Sequence, residues 1–205
     1  MASTATGGLP EASLRERKKA TTRANLHLAA VRLALERGTE AMTVEEVAAA
    51  AGVSPRTFFN YYETKEDALV GADPGRAGRV REAVLARPSG EPVDRAVRTV
   101  LLEHVRGLEA DPQLWRMRRE LAARSPALAA RIAGAGDQLE TVLVEAAYGR
   151  TGSDPALDLE TGLTARVAMA AVRAAFHQHR AAGFVGSLAA RAEAALDAVG
   201  VGSAG

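Results

Sequence analysis

Along this 205-residue chain a helix-capping residue recurs directly before a proline or three residues before an acid, and six of these pairs read as helix starts. Thr43-Val44-Glu45-Glu46 has the form of a capping box, and Thr64 precedes acids at Glu66 and Asp67. Ser54-Pro55, Asp111-Pro112, Ser125-Pro126 and Asp154-Pro155 each set a capper before a proline. Gly38, Gly52, Gly107, Gly149 and Gly183 fall where such helices need stops or turns. A chain punctuated this way, with 45 alanines and few β-branched or aromatic residues, reads as all-α with about nine helices.

The first helix runs from about Leu14 to Arg37 on an apolar stripe of Leu26, Ala30, Leu33 and Ala34. Short helices follow from Val44 to Ala51 and from Pro55 to about Tyr61. A fourth begins near Lys65, breaks around Gly71, Pro74, Gly75 and Gly78, and restarts through Val80, Val84 and Leu85. The remainder divides into helices near 92–110, 112–124, 126–149, 155–182 and 187–199, with 1–10 and 200–205 read as disordered tails.

Composition closes off several functions. With no cysteine there is no disulfide, no cysteine-ligated metal and no cysteine nucleophile. Histidine occurs four times, and His177 and His179, two apart on a helix, point to different faces, so no metal site and no cofactor are expected. No phosphate loop, nucleophile elbow or carboxylate pair suggests an enzyme. The chain lacks an apolar run of membrane-spanning length and a signal-like N-terminus, so no membrane partner is expected and the cytoplasm is the expected compartment. The net charge of +1 hides an uneven distribution. All three lysines, Lys18, Lys19 and Lys65, lie in the first 65 residues, and Arg15 to Arg32 carries six cations against Glu16 alone.

Thr43 to Tyr62 has the anatomy of a helix-turn-helix, with a capped helix, a turn at Ala51-Gly52-Val53 and a second capped helix. A helix of about two turns fits a major groove roughly 12 Å wide. Arg56 suits bidentate reading of a guanine, Thr57 a thymine methyl or phosphate, and Asn60 an adenine or the backbone. Thr43 and Ser54, at helix N-termini, suit phosphate. Phe58 and Phe59 read as core, and one of the two tyrosines after them as packing on the first helix.

Thr43, Ala48, Ala51-Gly52-Val53-Ser54, Thr57 to Tyr62 and Lys65 to Leu69 together resemble the DNA-binding half of the tetracycline-repressor family of bacterial regulators. The resemblance covers about residues 14–70. It implies a DNA-binding domain over 11–64 and a larger helical domain for effector binding and dimerisation over 65–200. It further implies that Tyr61, Tyr62 and Lys65 clamp phosphates and that Lys18, Lys19 and Arg23 lie beside the DNA backbone. The partners implied are double-stranded operator DNA, a second copy of the chain and a small effector.

The helix expected at 155–182 is apolar on two faces. One row is Leu159, Leu163, Val167, Ala170 and Ala174, and a second is Ala165, Met169, Val172 and Phe176. A helix apolar on two sides needs two covers, its own domain and a partner, and Leu188 and Leu196 of the last helix would complete the seam. A buried core helix in a monomer is the other reading. Leu101, Val105, Trp115, Leu121, Val142 and Phe176 would line an effector cavity, with His104, Arg118 and His177 as polar anchors; plain core is again the other reading. Residues 91–124 resemble the C-terminal domains of mycofactocin-regulator-type proteins, which implies an acyl-CoA-like ligand, with Arg116, Arg118 and Arg119 facing its anionic groups. A helical interaction scaffold without DNA binding is the competing function, and DNA binding itself separates the two.

Overall fold

The computed structural model of the chain describes residues 14–202. Among them are ten helices and no strand: α1 Leu14–Arg37, α2 Val44–Ala50, α3 Pro55–Phe59, α4 Lys65–Val70, α5 Arg76–Leu85, α6 Val93–Glu109, α7 Pro112–Arg124, α8 Pro126–Thr151, α9 Leu159–Ala181 and α10 Leu188–Ala198. The tail expected at 1–10 lies outside the described residues, as do 203–205. Gly200–Gly202, expected to be disordered, is tied down instead. Val201 is buried, Arg98 donates to its carbonyl at 2.9 Å, and the Gly202 N–H reaches Asp94 at 3.1 Å.

The caps form as the sequence dictates. Thr43 and Glu46 close a reciprocal capping box on α2, and Thr64 and Asp67 close one on α4. The Ser54 hydroxyl accepts from the Thr57 N–H at 3.1 Å, and Asp111 accepts from Gln113 and Leu114. Ser125 serves two helices. Its N–H closes α7 on the Leu121 carbonyl at 3.1 Å, and its hydroxyl opens α8 by accepting from Leu128 at 3.3 Å.

The fourth segment breaks where expected, into α4 and α5, because Gly71 takes the left-handed conformation at φ 67° and Asp73-Pro74-Gly75 turns the chain. The start of α9 differs from expectation. Asp154-Pro155 makes only one turn. A second capper, Asp158, takes over by accepting from Thr161 at 3.0 Å, and the Tyr148 hydroxyl pins its carbonyl at 2.8 Å, so α9 starts at Leu159.

Apolar burial forms two cores. The first joins Leu26, Ala30, Val31 and Ala34 of α1 to Val47 and Ala48 of α2, Phe58, Tyr62, and Ala68 and Leu69 of α4, with Leu121 and Leu128 arriving from α7 and α8. The second is built from Val80 and Val84 of α5, Val97, Leu101 and Val105 of α6, Leu143 and Ala147 of α8, the alanine-rich inner face of α9, and Leu188, Ala192 and Leu196 of α10. Alanines at Ala165, Ala168, Ala171 and Ala175 let neighbouring helices approach α9 closely, and Gly162 is packed so tightly against the Tyr148 hydroxyl that a Cβ there would collide with it.

Candidate nucleic-acid interface and effector region

The turn between α2 and α3 is set by Gly52 at φ 71°, and the Val53 N–H returns to the Ala48 carbonyl at 2.9 Å. α3 then stands with Phe58 wholly buried beneath it and Arg56 and Asn60 exposed. Phe59 was expected in the core, yet it is 56% exposed. The spacing held the signal. Phe58 and Tyr62 are four apart and share the buried face, with ring centroids at 5.9 Å, whereas Phe59 follows Arg56 by three and shares the outward one. An outward row of Arg56, Phe59 and Asn60 results.

The flanking residues divide into free and engaged groups. Lys18 and Lys19 are exposed on the first turns of α1. Thr43 and Ser54 are exposed at helix N-termini, and the Thr57 hydroxyl lies 2.9 Å from that of Ser54. Lys65 donates to the carbonyls of Glu40 at 3.3 Å and Met42 at 3.1 Å, which fixes the α1–α2 loop and uses two of its three donors. Tyr61 is half-buried.

Two expected phosphate contacts are structural instead. Tyr62 is 3% exposed, its hydroxyl donates to the Arg23 carbonyl at 3.1 Å, and burial pushes its pKa up to about 12. The Arg23 guanidinium donates to the carbonyls of Tyr61 at 3.1 Å and Ala72 at 2.8 Å and lies over the Tyr61 and Tyr62 rings. Of the two tyrosines, Tyr62 is therefore the one that packs on α1.

The residues expected around an effector are dispersed. Leu101 and Val105 are fully enclosed in the second core, Val142 is half-buried at its edge, and Leu121 belongs to the first core. Trp115 and Phe176 do meet, at 6.1 Å. His177 is exposed, so it anchors nothing in the interior. The inward histidine is His179, which is 1% exposed, stacks on Trp115 at 6.5 Å and meets Phe184 edge-on at 5.5 Å. The Arg119 guanidinium lies over the Phe184 ring, 3.5 Å from its centroid. His104 is held down to about 4 by burial and by the charges of Arg76 and Arg118. Arg118 donates to the Val70 carbonyl at 3.2 Å, and burial lowers its pKa to about 10.

Two open grooves mark the surface. One of about 400 Å³ lies against α1 and α2, between Leu28, Arg32 and Ala50, and one of about 640 Å³ lies between Tyr148, Leu157, Leu159 and Arg166. No cluster of three or more metal-ligating side chains occurs among the described residues. No helix among them is long and apolar enough to cross a membrane.

On α9 the row expected at a dimer seam faces outward: Leu163 is 50% exposed, Ala170 and Ala174 are exposed, and Val167 is half-buried. Leu188 and Leu196 do not join it. Both are 0% exposed, because Leu188, Ala192 and Leu196 form the i, i+4, i+8 row by which α10 packs into the second core.

Fold and outward face together define a helix-turn-helix protein carried on a larger helical body. Residues 28–70 match the tetR family of bacterial regulatory proteins, and residues 91–204 match the MftR C-terminal domain. The chain belongs to the tetR family. It is similar to the HTH-type transcriptional regulator TcmR of Streptomyces glaucescens, 36% identical over 152 residues, a match that spans 69% of this chain and 65% of the length of TcmR. Among solved structures it resembles the SmeT–triclosan complex, with SmeT being the repressor of the Stenotrophomonas maltophilia multidrug efflux pump SmeDEF, at 21% identity and a TM-score of 0.52 over 86% of this chain and 88% of that one. It also resembles native NalD, the secondary repressor of the MexAB-OprM multidrug efflux pump in Pseudomonas aeruginosa, at 20% identity and a TM-score of 0.53 over 87% and 94%. At these identities the likeness to SmeT and NalD is one of fold.

Proposed function

We propose that this chain is a cytoplasmic, homodimeric transcriptional repressor that occupies a pseudo-palindromic operator and leaves it when a small hydrophobic or acyl-CoA-like effector binds in the helical body. The observation that carries this reading is the outward row Arg56, Phe59 and Asn60 on a capped helix, together with the exposed Lys18 and Lys19 on the first turns of α1. Residues 11–64 act as the DNA-reading domain and 65–200 as the effector and dimerisation domain. In this assignment Arg56 reads a guanine edge, Asn60 an adenine edge and Phe59 a thymine methyl. Thr43, Ser54, Thr57, Tyr61 and the remaining donor of Lys65 hold phosphates.

Two copies related by a two-fold axis place two such heads about one helical turn of DNA apart, which multiplies the information a five-residue helix can read. The outward row Leu163, Val167, Ala170 and Ala174 supplies a self-complementary seam, and the small side chains allow close approach of two α9 helices. The effector acts through differential binding to two arrangements of the heads, and no reaction is catalysed. The deciding experiment is protection mapping on DNA flanking the protein's own gene, with salt titration. A two-fold footprint tighter than binding to random duplex is expected, and equal binding to every duplex overturns the reading.

A further inference from the structure

Four basic side chains from three helices converge on the C-terminal end of α4. His27 Nδ1 lies 2.6 Å from the Ala68 carbonyl, and Arg118 donates to Val70 at 3.2 Å, Arg76 to Gly71 at 3.5 Å and Arg23 to Ala72 at 2.8 Å. A helix C-terminus offers these groups about half a negative elementary charge. Among the described residues the carboxylate beside them is Asp73, which already accepts from Arg79 and from the Gly75 N–H, with Arg23 at 3.9 Å. Arg76 and Arg118 form no ion pair among the described residues. The Nε of Arg118 is buried without a hydrogen-bond partner, as is Nε2 of His27, which is only 7% exposed and packs against Gly71.

Two half-buried guanidiniums thus meet one partial charge, and the carboxylate of Asp73 acts on Arg76 but not on Arg118. Burial first, and with it the charges of Arg118 and Arg76, lowers the pKa of His27 to about 4, so this histidine is neutral near pH 7. His104 on α6 borders the same two arginines. A guanidinium this enclosed is poorly served by a single bond to a carbonyl, because its planar fork matches the two oxygens of a carboxylate or phosphate.

We infer that Arg118 and Arg76 form the seat of an oxyanion, the carboxylate or phosphate of the effector, which binds where α4, α5, α6 and α7 meet and takes Arg118 from the carbonyl of Val70. The inference deepens the proposed function and rests on its reading of the chain as ligand-responsive. The exchange replaces one guanidinium–carbonyl bond with a forked ionic one, so a neutral apolar ligand cannot drive it. Its consequence reaches the DNA-reading face through α4, six residues long, whose first residue, Lys65, holds the loop at Met42.

The test uses the full chain near neutral pH. The thermal midpoint is followed as sodium phosphate or sodium decanoate replaces sodium chloride at constant ionic strength. A saturable rise is expected with at least one of them. Response to phosphate alone assigns a phosphorylated ligand, and response to decanoate alone an apolar carboxylate. Arg118→Met should weaken the response by about tenfold or more, Arg118→Lys should weaken it less, and Arg106→Met, at an exposed α6 position, should leave it unchanged. Circular dichroism of each variant establishes that the helices are intact. The absence of a saturable rise with either anion, or an equal rise in folded Arg118→Met, overturns the inference. Footprinting on the same preparations separates the two ideas: a protein that selects its operator but ignores both anions sinks this inference alone, and one that responds to anions without selecting DNA sinks the regulator reading alone.

Discussion

The rings of Phe58 and Phe59 meet edge to face at 5.5 Å, one wholly buried and the other 56% exposed. Adjacent in sequence, they are predicted to separate folding from recognition. Phe58→Ala removes a ring from the first core and should cost about 3–5 kcal/mol in chemical unfolding. Phe59→Ala should change stability by no more than about 0.5 kcal/mol, yet weaken operator binding by about 1–3 kcal/mol in a gel-shift titration.

Arg56 and Lys18 are both exposed cations, to which the proposed function gives different parts of a duplex. Arg56→Ala should relax base preference at one position of each half-site, by about 1–3 kcal/mol against substituted operators. Lys18→Ala should weaken operator and random DNA alike and lower the slope of log affinity against log salt by about one per half-site.

His27 and His104 are each held to about 4 in the folded chain, first by burial and then by the charges of Arg76 and Arg118 that face them. Their ordinary value is 6.5, so between about 6.5 and about 4 the unfolded chain binds more protons than the folded one. Stability should be fully present above that window and fall as the pH drops through it, with His27 contributing on the order of 2 kcal/mol. In His27→Gln, which keeps a donor for the Ala68 carbonyl without titrating, urea unfolding across the window should show a shallower loss.

Gly162 occupies a helical position where alanine is ordinarily favoured by about 1 kcal/mol. Here a Cβ would displace the Tyr148 hydroxyl from the Asp158 carbonyl, the contact that fixes the start of α9. Gly162→Ala should therefore destabilise by about 1–2 kcal/mol, and the penalty should shrink in a Tyr148→Phe background, as a double-mutant cycle of thermal melts would record.

What could be read beforehand follows the range of the forces involved. Caps, turns and the all-α class depend on residues three or four apart, and those expectations held at α2, α3, α4, α7 and α8. The start of α9 was misplaced because Asp154 and Asp158 are both competent cappers, and the choice falls to Tyr148, ten residues from the second of them. Arg23 looked like a surface cation because its two carbonyl partners lie 38 and 49 residues away, where no local pattern points. Leu188 and Leu196 read equally well as seam or core, since a stripe shows that a face is apolar without showing which neighbour covers it. The choice between His177 and His179 was of the same kind: spacing put them on opposite faces, and only the position of Trp115 decides which face is inside.

Ser125 ends one helix and begins the next, so α7 and α8 are joined without a connecting loop. Leu121 and Leu128, on either side of it, are both seated in the first core, while Trp115 at one end of this elbow and Leu143 on the other arm belong to the second. Mechanically the pair is a bracket without free play. With no slack segment between them, a shift of α8 is expected to carry α7 with it, and with α7 the Arg118 that donates to Val70 at the end of α4.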